Sequence, residues 1–438
     1  MIRPHNKCCQ GFGATHAAPT AGCSDLLPSG SHEVGQAAAD MADASWRAAR
    51  LPGAPATVPA PPKVAPDGKD GPLLSELFGL RYAKSDLLRR IGRLEQVAGV
   101  RLVTLGDGQA RGVRVLEFRT GSGFAFDVLV DRSFDIGRCE HNGRPLSWQS
   151  GCGIVAPWYY EPDGWGWFRS WGGGMVVTCG LDHTLAPGED TAEHFNQPHI
   201  MKTVQYGLHG RIGGLPARLI GYGEQWDGDE CLLWAEGEVV QAAVFGEHLA
   251  LRRRIEAKVG ESRFTIHDRV ENAGHTRTSH MFLYHCNIGF PVVDEMSELL
   301  VPSRETTTDY DVPVQGYRTM SSPIKDFTEA CFEHDLIAEP AGTVPVALVN
   351  RRLSLGVYQV FRISQLPHHT VWRMMGEGTY ALAMEPSTNR DAGRWDARDR
   401  GELQWLEPGE ERRYDLEVGT LAGEAAITDF ETRISRLS

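Results

Sequence analysis

Hydrophobic and polar residues alternate along much of the chain, and this pattern predicts β-strands. One run has an apolar residue at every second position: Phe124, Phe126, Val128 and Val130. Side chains at alternate positions of a strand share one face, so this run indicates a half-buried strand. Residues 113–118 are also strand-like, and Asn142-Gly143 between two such runs is a strong signal for a tight hairpin turn.

Two later stretches predict further hairpins. Residues 255–259 and 264–270 are separated by Gly260-Glu261-Ser262, and residues 403–406 and 414–418 flank Pro408-Gly409-Glu410. The basic run Arg252-Arg253-Arg254 lies between strand-like residues. We therefore predict that this run lies on an exposed strand face.

Helical periodicity is scarce, and the fold class follows from this scarcity. Residues 85–94 suit a short helix, with Ser85 or Asp86 as the N-cap. Many short strands with frequent turns favour an all-β sandwich. The sequence has no fixed-period repeat of the propeller type and no alternating βα units, which disfavours a Rossmann fold or a TIM barrel.

Composition divides the chain into two parts. Residues 1–72 are rich in Ala, Pro, Gly and Ser and lack apolar periodicity, which predicts a disordered tail. Residues 73–438 are predicted to form one domain. The sequence contains no run of about 18 or more apolar residues, so we expect no membrane span. The nine cysteines are scattered, which favours reduced thiols and a cytoplasmic protein.

The net charge argues against one class of partner. The chain has a formal charge of −13 and no strongly basic patch, so we expect no nucleic-acid binding. The oligomeric state is not indicated.

Three ionisable residues lie beside apolar, strand-like runs. His285 follows residues 281–284, Glu385 follows residues 380–384, and His209 precedes Gly210. A buried ionisable group needs a partner or a function. A lone histidine after a strand is commonly structural, and Glu385 could form an ion pair with Arg390 or Arg394.

Several of these stretches together resemble a known family. The hairpin at residues 254–266 followed by Tyr284-His285 resembles the middle of aldose 1-epimerases, the galactose mutarotase-like proteins. Residues 208–210 and 384–386 are similar to the two other motifs of that superfamily. Residues 131–136, 172–181 and 284–291 resemble most closely the group known as domain of unknown function 4432. The resemblance covers residues 73–438 and implies a large antiparallel β-supersandwich with a few short helices.

The resemblance also implies an activity and roles. Glu385 would remove the proton from the anomeric hydroxyl of a sugar, and His285 would protonate the ring oxygen. His209 would bind a sugar hydroxyl or assist at the ring oxygen. Further substrate-binding residues would be Arg132, Asp135, His183, Arg211, Asn287 and Asn389. No cofactor is implied.

The aromatic-rich stretch from Trp158 to Trp171 could supply one tryptophan that stacks on a sugar. Packing in a core or loop is an equally good reading for any single member. Likewise, Asp131, Arg132 and Asp135 could form internal ion pairs instead of holding sugar hydroxyls. The early Asn-x-x-x-x-Arg pair typical of aldose epimerases cannot be placed in this sequence.

Two alternatives to a mutarotase remain. One is a non-catalytic carbohydrate-binding or sensing protein on the same fold. The other is a metal-dependent sugar isomerase that uses the histidines between His183 and His209, although no pair has the spacing of a helical zinc site.

Overall fold

The computed structural model describes residues 75–197 and 199–437. The predicted tail, residues 1–72, lies outside the described residues. So do residues 73 and 74 of the predicted domain.

Strands dominate the described residues. In chain order they are β1 (Ser75–Leu77), β2 (Leu80–Tyr82), β3 (Gly99–Thr104), β4 (Arg114–Arg119), β5 (Phe124–Leu129), β6 (Asp135–His141), β7 (Arg144–Pro145), β8 (Val177–Leu181), β9 (Gly188–Thr191), β10 (Thr203–Tyr206), β11 (Arg218–Asp227), β12 (Glu230–Ala242), β13 (His248–Lys258), β14 (Arg263–Asn272), β15 (Thr278–Gly289), β16 (Glu298–Leu300), β17 (Ser303–Thr307), β18 (Ala330–Leu336), β19 (Thr343–Asn350), β20 (Leu355–Arg362), β21 (His368–Gly376), β22 (Thr379–Ser387), β23 (Gln404–Leu406) and β24 (Glu411–Ala422).

The helices are short. The α-helices are α1 (Lys84–Leu88), α2 (Gly393–Asp399) and α3 (Glu424–Ser435). Single 3-10 turns occur at Leu94–Gln96, Gly108–Ala110, Pro157–Tyr159, Gly166–Arg169, Ile212–Gly214 and Arg351–Leu353. In the described residues, no helix is long and apolar enough to cross a membrane.

Two large antiparallel sheets form the body of the fold. One has eight strands in the order β11-β12-β13-β14-β24-β20-β19-β16. The other has seven, in the order β17-β18-β21-β22-β15-β23, with β8 also paired to β15. A five-stranded sheet from β3 to β7 and two smaller two-stranded sheets complete the fold. The predicted all-β sandwich is confirmed.

Strand β15 shows how the two large sheets pack. Phe282 of β15 stacks on Tyr414 of β24 with ring centroids 4.7 Å apart. All residues of β15 are buried, so the strand is covered on both faces. Because side chains alternate, Phe282 and Tyr284 face the eight-stranded sheet, whereas Leu283 and His285 point the opposite way.

A buried ion network on the inner face of the eight-stranded sheet corrects one expectation. Arg253 is 0% exposed instead of lying on an outer strand face. Its guanidinium donates to both carboxylate oxygens of Asp268 at 2.9 and 2.7 Å, and to Asp135 at 2.8 Å. Alternation leaves only Arg252 and Arg254 on the outer face.

Two predicted hairpins are confirmed and one is wrong. Asn142 and Gly143 have φ of 51° and 73° and join β6 to β7, and Gly260-Glu261-Ser262 joins β13 to β14. The turn around residues 408–410, however, does not form a hairpin. Strand β23 pairs with β15, while β24 pairs with β14 and β20, so this turn crosses from one large sheet to the other. The alternation of apolar and polar residues within each strand is the same whether the two strands form a hairpin or belong to different sheets. The sequence pattern therefore could not distinguish these two arrangements.

The predicted helix at residues 85–94 is shorter than expected. Its helical part, α1, spans Lys84–Leu88, and Ala83 stands at its N-cap without a side-chain hydrogen bond. A separate 3-10 turn covers Leu94–Gln96. Gly92 lies between them, and glycine inside a helix costs about 1 kcal/mol relative to alanine.

Candidate active site

The outer face of the seven-stranded sheet carries a histidine–glutamate pair. His285 comes from β15 and Glu385 from β22, and these strands pair with Cys286 opposite Met384. This register places the flanking side chains beside each other. His285 Nε2 lies 3.3 Å from Oε1 of Glu385. The structure therefore brings these two predicted site residues together.

Both members of the pair are buried and incompletely hydrogen-bonded. Their exposed fractions are 4% for His285 and 3% for Glu385. His285 Nδ1 and Glu385 Oε1 have no hydrogen-bond partner among the described residues. A buried polar atom without a partner costs about 1–3 kcal/mol, so these atoms mark a position where a ligand can supply the missing hydrogen bonds.

The ion pairs suggested by the sequence for Glu385 do not form. Arg390 instead donates to Glu333 at 2.8 Å, and Arg394 donates to Asp190 at 2.5 Å. The carboxyl of Glu385 is therefore not neutralised by either arginine.

Burial sets the protonation of the pair. It raises the pKa of Glu385 well above its usual range, and the negative charges of Asp391 and Glu329 raise it further. Burial lowers the pKa of His285 to about 3. The neutral forms of both groups, a carboxylic acid and an imidazole, are therefore favoured.

His209 lies next to this pair. Its ring centroid is 5.8 Å from that of His285, and its Nδ1 accepts a hydrogen bond from the Leu185 N–H at 3.4 Å. His209 has a φ of 58° and Gly210 a φ of 72°. A Cβ at Gly210 would lie 2.3 Å from the carbonyl oxygen of Gly180, so glycine is required for this turn to pack on β8. Burial, then the neighbouring His285, lowers the pKa of His209 well below its usual value.

Aromatic side chains form the walls of a cleft of about 310 Å³ above these residues. They are Trp165, Trp167, Phe168, Trp171, Tyr310 and Trp372. Trp165 and Phe168 stack at 5.8 Å and are about half exposed at the rim, while the buried Trp171 Nε1 has no partner among the described residues. The aromatic stretch thus contributes three tryptophans to the cleft where one was expected.

The cleft is also lined by three carboxylates that were not predicted from the sequence. They are Asp309, Glu329 and Asp391. Glu329 accepts a hydrogen bond from Trp372 Nε1 at 2.8 Å. Asp309 and Glu329 belong to the long connection between β17 and β18, where no motif identifies them. Asp391 follows shortly after Glu385, and this proximity was the only available signal.

Arg132 and Asp135 are not brought to the cleft. Arg132 donates to the carbonyl oxygens of Gly213, Val155 and Ser170 at 2.8, 2.7 and 3.0 Å, so it holds loop backbone together. The Asp135 carboxylate accepts hydrogen bonds from Thr178 and from the buried Arg253. For Asp135 the contacts favour the internal ion pair over contact with a sugar.

His183 and Arg211 also lie outside the cleft lining. His183 Nε2 donates to the Ala186 carbonyl at 2.9 Å, and burial lowers its pKa to about 4. Ala186 itself lines the cleft, so His183 supports the wall from behind. Arg211 donates to the carboxylate of Glu247.

The two predicted asparagines make hydrogen bonds within the protein. The Asn287 amide donates to the carbonyl oxygens of Gly174 and His285, both at 2.9 Å. Asn389 Oδ1 accepts from Thr184 at 3.1 Å. Asn287 therefore orients the strand that carries His285 and does not line the cleft.

The histidines that suggested a metal do not converge. In the part of the chain that the structure describes, no group of three or more His, Cys, Asp or Glu side chains has the arrangement of a metal site. His194 lies 3.7 Å from Glu247, whereas His209 packs against Trp167.

Comparisons with known proteins agree with the fold. The family model described as domain of unknown function (DUF4432) matches residues 110–420. No curated protein matches the chain. The solved structure of a candidate aldose 1-epimerase from Klebsiella pneumoniae is similar, with a TM-score of 0.71 and 22% identity over 78% of this chain and 90% of that chain. A galactose mutarotase-like protein from Clostridium acetobutylicum gives a TM-score of 0.52 and 13% identity over 73% and 98% of the two chains. The predicted galactose mutarotase-like fold is confirmed.

Proposed function

This chain belongs to the DUF4432 family, and from that premise we propose that it is a sugar mutarotase, an isomerase of the aldose 1-epimerase type. Its substrate would be a small-molecule aldose bound in the aromatic cleft. The observation that carries the proposal is the buried pair of His285 and Glu385, in which Nε2 of the histidine lies 3.3 Å from Oε1 of the glutamate. That Oε1 atom and His285 Nδ1 have no hydrogen-bond partner among the described residues.

Mutarotation needs two proton transfers at oxygens bonded to the same carbon. A base takes the proton from the anomeric hydroxyl, the bond between C1 and the ring oxygen breaks, and an acid protonates the ring oxygen. C1 then rotates about its bond to C2, and the ring closes by the reverse transfers. Because both oxygens are attached to C1, an adjacent acid and base suit this chemistry.

One proton held by the pair is sufficient for this cycle. With the proton on His285, Glu385 is the base and His285 the acid in ring opening, and the roles reverse in ring closure. The raised pKa of Glu385 and the lowered pKa of His285 favour the proton on Glu385 before the sugar binds. Transfer of this proton to the imidazole would occur once the two atoms, which are 3.3 Å apart, align as a hydrogen bond.

The surroundings supply binding and orientation. The tryptophans of the cleft wall would stack on the apolar face of a pyranose. His209, which burial keeps neutral, would hydrogen-bond a sugar hydroxyl or assist protonation of the ring oxygen.

Saturation-transfer NMR over a panel of aldoses tests the proposal. We expect the protein to accelerate anomer interconversion of at least one aldose, and His285→Asn to slow it by about 10²–10⁴-fold. His267→Asn is the matched control, because His267 lies on the outer face of the eight-stranded sheet beside Asp415. Full activity of His285→Asn would contradict the assignment.

The same panel addresses a non-catalytic carbohydrate-binding protein. Such a protein would bind a sugar in calorimetry without accelerating interconversion of its anomers. A buried acid and imidazole that contact each other and leave hydrogen bonds unmet cost stability, and sugar binding alone does not require such a pair.

A further inference from the structure

The charges that line the cleft are all of one sign. Three carboxylates face it, those of Asp309, Glu329 and Asp391, together with the carboxyl group of Glu385, and none of the described lining residues is Lys or Arg. The basic groups in the lining are His209 and His285, and the pKa of each is lowered by burial. The cleft therefore lacks a protein cation to balance its acidic groups.

The acidic groups extend from the floor of the cleft to its rim. Glu385 is buried beside His285, Asp391 is half-buried, and Glu329 and Asp309 are exposed. Burial, and then nearby carboxylates including Glu329, raise the pKa of Asp391 to about 6. Elsewhere in the fold a half-buried carboxylate such as Glu333 has an arginine partner at 2.8 Å. The carboxylates of the cleft are thus kept near each other without such a partner.

A second observation points to a ligand at the same place. Glu385 Oε1, His285 Nδ1 and Trp171 Nε1 are buried polar atoms of the cleft lining that have no partner among the described residues. The aromatic walls add a property of their own, because the faces of tryptophan rings attract cations. Aromatic faces and unpaired carboxylates both favour a positively charged ligand and disfavour a negatively charged one.

We propose that the cleft selects an aldose that bears an ammonium group, an amino sugar, and rejects sugars that bear phosphate or carboxylate groups. This inference rests on the proposed function and names its substrate class. The anomeric carbon would lie at His285 and Glu385. The ammonium group would lie between Asp391 and Glu329, where it supplies the missing counter-charge.

Calorimetry with matched sugars tests the selection. Glucosamine, galactosamine and mannosamine would each be compared with the neutral parent sugar at pH 6.5, and glucose 6-phosphate and glucuronate would serve as anionic members. For at least one stereochemistry we expect the ammonium sugar to bind about tenfold more tightly than its parent, and the anionic sugars to bind more weakly than glucose. Equal affinity within all three pairs, tighter binding of an anionic sugar, or no binding of any amino sugar would overturn the inference.

Two substitutions test the residues involved. Asp391→Asn and Glu329→Gln keep side-chain shape and remove charge. Each should reduce the preference for the ammonium sugar over its parent sugar to about threefold or less. Glu377→Gln, at an exposed position between β21 and β22, is the control and should keep the full preference. An undiminished preference in both cleft variants would contradict the proposed position of the ammonium group.

Rates measured on the same panel separate this inference from the proposed function. If neutral sugars are bound and interconverted as well as amino sugars are, the inference is overturned but the mutarotase assignment is not. Selective binding of amino sugars without anomer interconversion would support the inference and contradict the mutarotase assignment.

Discussion

The two faces of β15 carry neighbouring polar residues with opposite surroundings. On the inner face, the Tyr284 hydroxyl donates to Asp268 at 2.7 Å, and Arg253 joins Asp268 to Asp135. All four carboxylate oxygens of these aspartates accept hydrogen bonds. On the outer face, the next residue, His285, meets Glu385 with one polar atom of each left without a partner among the described residues.

Burial is therefore not what distinguishes a functional group in this protein. Both clusters are almost completely removed from solvent. The inner network is satisfied and connects the two large sheets, whereas the outer pair is unsatisfied and faces a cleft. Unmet hydrogen bonds at the end of a cleft are costly for the free protein and available to a ligand.

Breaking the inner network should have the largest effect on stability. Arg253→Met would leave two buried aspartates without their cation, and we expect the free energy of unfolding to fall by about 3–5 kcal/mol in urea denaturation. Arg252→Met is the matched control on the same strand. Arg252 pairs with Glu236 on the outer face with its side chain 46% exposed, so its loss should be about 1 kcal/mol or less. Equal losses would contradict the contrast between the faces.

Substituting the adjacent pair on β15 should give a smaller difference. Tyr284→Phe removes the hydroxyl that donates to Asp268, and we expect a loss of about 1–3 kcal/mol in the free energy of unfolding. His285→Asn removes a ring whose Nδ1 has no partner among the described residues, so it should lose less than Tyr284→Phe. The reverse order would indicate that the outer pair is structural.

Glu385→Gln should have the smallest effect on stability, and with the opposite sign. The folded-state pKa of Glu385 is raised, so its protonated form is compatible with folding, and stability is lost as pH rises from about 4.5 through the raised value. The glutamine amide does not ionise, so the variant does not lose stability as the pH rises. We expect Glu385→Gln to match the wild type at pH 4 and to be more stable at neutral pH, as measured by unfolding at both pH values. Glu377→Gln should show no such trend. If Glu385→Gln is less stable than the wild type at neutral pH, this would contradict the proposal that burial of the Glu385 carboxyl lowers stability there.

Sequence patterns predicted the sheets better than the connections between them. Alternation identified β4, β5, β13 and β14, because a half-buried strand must alternate. It could not show that the turn at residues 408–410 crosses between sheets. The expectation that the whole basic run is exposed was wrong for Arg253, because its ion partners Asp135 and Asp268 are far away in sequence and no local pattern reveals them.

The candidate site was predictable only in part. His209, His285 and Glu385 were indicated by motifs beside apolar runs, and the structure places them together. Asp309 and Glu329 lie in an irregular connection whose path depends on the whole fold, so no local pattern marks them. Arg132 was proposed for sugar binding because its guanidinium suits hydroxyl groups, yet its donors are used by backbone carbonyls.

The most direct measurement is the rate of anomer interconversion by Glu385→Gln, determined together with its free energy of unfolding on the same preparation. We expect a rate about 10²–10⁴-fold below that of the wild type, with stability at neutral pH equal to or above the wild-type value. A variant that keeps the wild-type rate, or one that loses rate and stability together, would contradict the claim that the unsatisfied outer face of β15 performs the chemistry.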